Sequence, residues 1–242
     1  MSGMIRLSKG AGKLGLKPTH EQLKKFEVYY RELVEWNKRI NLTSVTDYEE
    51  VQIIHFLDSL TVITGFPVTP PEKKLSIIDA GTGAGFPGIP LRIVLPDIRL
   101  VLLEATAKKV GFLRHITSKL GLDNVEIVRG RAEEVAHDGT YREKFEIVVS
   151  RALAPLNVLV ELTLPFCAVG GRLIAQKKGD ITQEIERASR ALNILGGEII
   201  GVENVTMDEF DDDRHLVIID KVKASSSQYP RRPGIPAKKP II

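Results

Sequence analysis

Residues 77–91 read IIDAGTGAGFPGIPL: a short apolar run, an acid, then four glycines within eight positions. The apolar run predicts a buried strand, and Pro87 or the residues after it can open a helix. Glycines between a strand and a helix let the backbone approach a ligand closely. From Gly83 onward, GAGFPG satisfies GxGxxG, and Glu104 follows 21 residues later, where an acid bonds ribose hydroxyls in a dinucleotide site. The same glycines also suffice for a plain tight turn. Two features favour a different occupant. Asp79 stands two residues before Gly81-x-Gly83-x-Gly85, and a carboxylate there repels pyrophosphate but suits a ligand carrying an ammonium and a sulfonium. A later strand is followed by GRAEE, which puts an acid where an adenine amine can sit.

Outward from this loop, LSIIDAG, IRLVLLE, NVEIVRG, KFEIVVS and GRLIAQKK read as strands separated by amphipathic helices. GEIIGVENV and RHLVIIDKV come last with no helix between them, which predicts an antiparallel hairpin. The expected fold is α/β: a doubly wound, mostly parallel Rossmann-like sheet with an antiparallel last hairpin and an N-terminal helical extension. Strand, D-x-G-x-G-x-G, helix and a strand ending in Glu form the pattern of S-adenosylmethionine-dependent methyltransferases. Asp79, Gly81, Gly83, Gly85 and Glu104 are the residues expected to hold that cofactor, with its ribose diol on Glu104.

Before the sheet, THEQLKKFEVYYRELVEWNKRINLT predicts a helix capped by Thr19, with Leu23, Phe26, Tyr30, Leu33, Val34 and Ile40 near helical spacing. A second helical stretch ends at PVTPPEKK, read as a boundary. The expected divisions are a basic flexible N-terminus (1–18), a helical part (19–74), the methyltransferase domain (75–222) and a basic, Pro-rich tail (223–242). Net charge is +3 over 242 residues. Residues 1–25 contribute +5 and residues 221–242 contribute +6, leaving a mildly acidic body between two basic ends. Basic ends suit a polyanion such as RNA, or simply solubilise. A single cysteine, Cys167, and the absence of a long uncharged apolar run lead to the expectation of a soluble, cytoplasmic protein.

The chain resembles the bacterial small-subunit ribosomal RNA methyltransferase G family, also called glucose-inhibited division protein B. The resemblance runs through WNKRINLTSV, HFLDSL, DAGTGAGFPGIPL, LLEATAKKVGFLRH, NVEIVRGRAEE, VVSRALAPL and YPRRPGIPAKKP. It implies methylation of N7 of one guanine in small-subunit (16S) ribosomal RNA, with S-adenosyl-L-methionine as donor. It also implies cofactor contacts at Gly81, Phe86, Glu104, Ala105, Thr106, Ala132, Glu133 and Arg151. Guanine N7 has a free lone pair, so positioning suffices and no general base is needed. Consistent with a ring-nitrogen target, VVSRALAPL replaces the Asn/Asp-Pro-Pro-aromatic segment of amine methylation, and Cys167 sits in apolar LPFCAVGG as an inert thiol.

Arg151 is the candidate catalytic residue: a donor to cofactor or guanine O6, or a salt bridge at the sheet's rim. Candidate RNA contacts are Arg129, Arg131, Lys177, Lys178, Arg231, Arg232, Lys238 and Lys239. The proline-stiffened tail is expected to touch phosphates, or else to fold over the cofactor pocket as a lid. His55 and Asp58, one helical turn apart, are read as packing; Trp36 as core; the run from Asp211 to Asp213 as a solvated loop. No metal site is expected, since the histidines lack ligand spacing. The substrate is small-subunit rRNA, bare or as a ribonucleoprotein, and the enzyme is read as a monomer. A non-catalytic RNA-binding assembly factor, a small-molecule methyltransferase and a dehydrogenase stay open on sequence alone.

Overall fold

Five successive buried residues make β1 (Ser76–Ala80) the centre of a sheet covered on both faces. The structure, a computed structural model, describes residues 3–67 and 75–242. Strands β2 (Arg99–Glu104), β3 (Val125–Arg129), β4 (Phe145–Arg151), β5 (Cys167–Lys178), β6 (Gly197–Asn204) and β7 (Arg214–Lys221) complete the order β3-β2-β1-β4-β5-β7-β6. β1 to β5 are parallel, and β7 runs antiparallel between β5 and β6. The expected fold class is what forms. Strand order reverses between β1 and β4, so their carboxyl ends bound the crevice where such sheets bind ligands.

Side-chain alternation sorts the strands into two cores. Ile77, Val149, Ile174 and Ile218 face one; Ile78, Val148, Leu173 and Ile219 face the other. Helices α7 (Ala132–Val135), α8 (Leu156–Thr163) and α9 (Thr182–Leu195) cover the second core. The first is covered by α5 (Gly88–Val94) and α6 (Ala107–Lys119), together with the N-terminal helices α1 (Ile5–Lys13) and α2 (His20–Asn37). Thus the helical part shares its core with the sheet; the boundary read at PVTPPEKK falls mainly on residues 68–74, outside those described.

α2 starts as expected, with Thr19 and Gln22 forming a reciprocal capping box. Its buried face is Leu23, Phe26, Tyr29 and Leu33, so Tyr29 rather than Tyr30 enters the core. The following run changes pitch: α3 (Tyr48–Glu50) passes into a π-helical segment (Val51–Leu57), then α4 (Asp58–Thr61). Such wide turns recur at functional sites, and this one carries His55.

Both basic ends differ from expectation. The N-terminus, expected to be a flexible arm, forms α1, because Met4, Leu7 and Ala11 recur on one face and are fully buried. Gly10 permits this: a Cβ there would lie 2.4 Å from Leu57 Cδ2. The C-terminal tail, expected as an extended arm, folds back onto α8 through an ion pair between Arg231 and Glu161, whose side chain is wholly buried. It ends in a short helix, α10 (Ile235–Lys238), that seats Pro236.

Candidate active site

The loop after β1 turns by left-handed glycines. Gly81 has φ +75°, and a Cβ there would lie 2.6 Å from Leu153. Gly83 has φ +62° and faces open space, with no atom within 4 Å of where a Cβ would project. Tight packing and outward freedom thus alternate along Gly-x-Gly. Glu104, at the end of β2, pins this turn: its carboxylate accepts Gly83 N–H at 3.0 Å and Thr106 N–H at 2.7 Å. Each carboxylate oxygen retains lone-pair capacity for a further donor.

Asp79 corrects the sequence reading. It was expected to face the ligand, but its side chain is fully buried beneath the loop. Oδ2 accepts from Thr82 Oγ1 at 2.6 Å and from Gly88 N–H at 2.8 Å, while Oδ1 has no partner among the described residues. The carboxylate therefore braces the loop against the start of α5. Burial raises its pKa to about 6. The folded state then binds more protons than the unfolded state between pH 4 and 6, so this group removes stability as pH rises through that window. Asp79→Asn, which keeps the acceptor but not the charge, is expected to gain about 2–3 kcal/mol on wild type between pH 4 and 7. Denaturant melts at several pH values check it; a constant difference means Asp79 ionises normally.

Two clefts open at the carboxyl edge. The first, about 380 Å³, is lined by Gly81, Glu104, Ala105, Arg131, Ala132 and Glu133 among others. It gathers predicted cofactor residues from three separate strand ends, with Thr106 beside it through its bond to Glu104. The tail braces its lining from behind: Gly234 N–H donates to Glu133 Oε1 at 3.0 Å, and His137 Nε2 donates to Pro230 O at 2.8 Å.

The second cleft, about 360 Å³, is lined by Ile54, His55, Asp58, Arg151, Ala152, Gln176, Lys177, Lys178 and Glu184. Arg151 lies here rather than in the Glu104 cleft. Its guanidinium pairs with Asp58 at 2.9 Å, donates to Ile54 O at 3.1 Å and stands over the Phe86 ring at 4.9 Å. Phe86, expected against the cofactor, instead stacks its ring on His55 at 4.7 Å, because the chain turns it toward the helical layer. Burial, aided by the Arg151 charge, lowers the His55 pKa to about 4, so the ring is neutral at physiological pH. Arg151 can only donate, so His55 Nδ1, 3.4 Å away, is the acceptor and Nε2–H bonds Thr43 Oγ1 at 2.7 Å. Ala152 lines both clefts and is a non-glycine residue at φ +53°. Such strain concentrates at functional sites.

Sequence reasoning missed three supports. Tyr29 donates to Ala84 O at 2.5 Å, holding the glycine loop from the helical layer. Its signal was the spacing of Phe26, Tyr29 and Leu33. Arg214 lies 2.5 Å from Asp58 Oδ1, an ion pair whose angle falls short of a hydrogen bond. Nothing local marks that pairing. Glu184 reaches the cleft from the first turn of α9. Of the expected RNA contacts, Arg129, Arg131, Lys178, Arg232, Lys238 and Lys239 are exposed. Lys178 meets Asp212 at 2.8 Å. Lys177 is instead tied down, to Glu184 at 2.6 Å and Ala154 O at 2.8 Å, and Arg231 is spent on Glu161. Cys167 is buried, with its thiol pushed up to about 12, too high for a nucleophile. Trp36 packs on Phe112 at 5.6 Å, as core. Among the described residues no helix is long and apolar enough to cross a membrane, and no cluster could hold a metal ion.

This sheet order, a glycine turn after β1 and an acid ending β2 define a Rossmann-like methyltransferase that takes its methyl group from S-adenosylmethionine. Solved structures share the fold: a geranyl diphosphate C-methyltransferase from Streptomyces coelicolor (TM-score 0.52, 14% identity, 80% of this chain and 98% of that one). A precorrin-6y C5,15-methyltransferase from Geobacter metallireducens matches with TM-score 0.50 and 16% identity, over 75% of this chain and 91% of that one. The family model for rRNA small subunit methyltransferase G matches residues 22–217, and the chain belongs to that family. A relative named ribosomal RNA small subunit methyltransferase G from Dehalococcoides mccartyi is 50% identical over 99% of this chain and 100% of its own length. One of the same name from Alkaliphilus metalliredigens is 42% identical over the full length of both chains.

Proposed function

We propose that this chain methylates N7 of one guanine in small-subunit ribosomal RNA, with the methyl donor in the Glu104 cleft and the guanine in the Arg151 cleft. The observation that carries this is the meeting of the two clefts at Ala152, at the switch point of the sheet. S-adenosylmethionine supplies an electrophilic methyl group to the purine lone pair. Glu104 holds its ribose diol, Ala132 and Glu133 flank adenine, and the open side of Gly83 admits the rest. Arg151, fixed by Asp58, donates toward guanine O6. Nothing need remove a proton, so the protein's work is alignment. A guanine in A-form duplex hides N7 in a narrow groove, so the target is unpaired or turned out. The exposed cations around both clefts meet phosphates. The enzyme acts as a monomer in the cytoplasm, on rRNA alone or in its ribonucleoprotein particle.

Labelled S-adenosylmethionine incubated with small-subunit rRNA is expected to leave one methyl group, at a guanine that becomes sensitive to aniline cleavage after borohydride reduction. Label on another atom, or none, overturns the reading. Gly83→Val, which fills the open side of the turn, is expected to abolish calorimetric binding of S-adenosylmethionine while circular dichroism shows a folded protein. Wild-type affinity would return the glycine to a plain turn.

A further inference from the structure

We infer that Glu184 reads the Watson–Crick edge of the target guanine, which rests on the Arg151 cleft being that base's seat. This cleft carries three cations, Arg151, Lys177 and Lys178, and two carboxylates. Asp58 is spent, with one oxygen on Arg151 and the other on Arg214. Glu184 is not. Its Oε2 accepts Leu156 N–H at 3.0 Å and meets Lys177 Nζ at 2.6 Å, which fixes the side chain at the cleft wall. Its Oε1 accepts no hydrogen bond from any described residue, and its side chain is 36% exposed.

A pocket for phosphate would exclude such an oxygen by charge repulsion. A guanine wants both signs. Its O6 and N7 accept, whereas N1–H and the N2 amine donate. With N7 at the Ala152 junction, the N1 and N2 edge lies across the ring from the methyl donor. Arg151 and Lys178 suit O6, and Glu184 Oε1 suits N2–H with N1–H beside it. Adenine turns a lone pair at N1 to the same carboxylate and has no N2 amine, so it is rejected.

The contact also changes during reaction. The methyl carbon leaves sulfur as its bond to N7 forms, the positive charge passes from sulfonium to purine, and no proton is lost. N1–H and N2–H become stronger donors as the purine turns cationic. A carboxylate there binds the transition state more tightly than the ground state, and so acts on kcat.

The test uses labelled S-adenosylmethionine and a small-subunit rRNA fragment with guanosine, or inosine, at the position wild type methylates. Inosine lacks only the N2 amine. Wild type is expected to favour guanosine by about tenfold or more, the worth of a charge-assisted hydrogen bond. Glu184→Ala is expected to lower kcat on guanosine about 10- to 100-fold and to erase the guanosine preference, with S-adenosylmethionine affinity unchanged. Glu184→Gln, which keeps an acceptor oxygen and guards against misfolding, is expected to retain some preference at reduced kcat. If both variants slow guanosine and inosine equally, Glu184 is only a brace for Lys177 and the proposal fails. An unselective wild type also overturns it. Failure of wild type to modify any N7 is a separate result, which strikes the proposed function instead.

Discussion

Arg231→Met is expected to cost the protein about 3–5 kcal/mol, because it strips the partner from a buried carboxylate while keeping the aliphatic stem. Glu161 on α8 is wholly buried and takes Arg231 Nη2 at 2.5 Å, Nε at 2.9 Å and the backbone N–H at 2.8 Å. Only the last survives the change. Adding Glu161→Gln is expected to recover much of the loss. Local release of the tail also frees Glu133 from Gly234, so S-adenosylmethionine affinity is expected to fall about tenfold. Denaturant melts and calorimetry read both effects. Unchanged stability with a flatter salt dependence of RNA binding would restore the tail to the role of a free basic arm.

Asp58→Ala is expected to lose about 3–5 kcal/mol, or on the order of 10 °C in melting temperature, and nearly all methyl transfer. Its carboxylate lies between Arg151 and Arg214, and all three side chains are no more than 16% exposed. Without it two guanidinium groups share a buried site with no carboxylate between them. Arg214 has a second partner in Asp212 at 2.6 Å, and it stacks on Phe210 at 4.1 Å. Arg151 is left with a backbone carbonyl, the His55 imidazole and the face of Phe86, and with no carboxylate among the described residues. It is therefore the group that moves, and guanine loses its O6 donor. S-adenosylmethionine affinity is expected to stay within a few-fold of wild type, since Asp58 lies outside the Glu104 cleft. A loss of cofactor binding as large as the loss of transfer would contradict the separation of the two clefts.

The parts of this design legible in sequence are those written in neighbouring residues. Strand–glycine–helix order places the loop, and the acid closing β2 places Glu104, because both depend on spacing within one βα unit. The capping box at Thr19 is legible for the same reason. Asp79 was placed correctly in the chain but wrongly in space: adjacency to a glycine turn does not say whether a carboxylate points out or under it. The Arg151–Asp58–Arg214 cluster draws on β4, α4 and β7, and no periodicity links those segments. The two ends misled through composition. Basic and Pro-rich residues read as solvated arms, yet three apolar side chains, Met4, Leu7 and Ala11, and one buried acid on α8 suffice to dock them.

A structure of the protein with S-adenosylhomocysteine bound tests the central claim most directly. The account predicts adenine between Ala132 and Glu133, the ribose on Glu104, and the sulfur at the Ala152 junction facing the cleft of Arg151 and Glu184. Adenosine seated in the Arg151 cleft, or a sulfur turned away from Ala152, would contradict it.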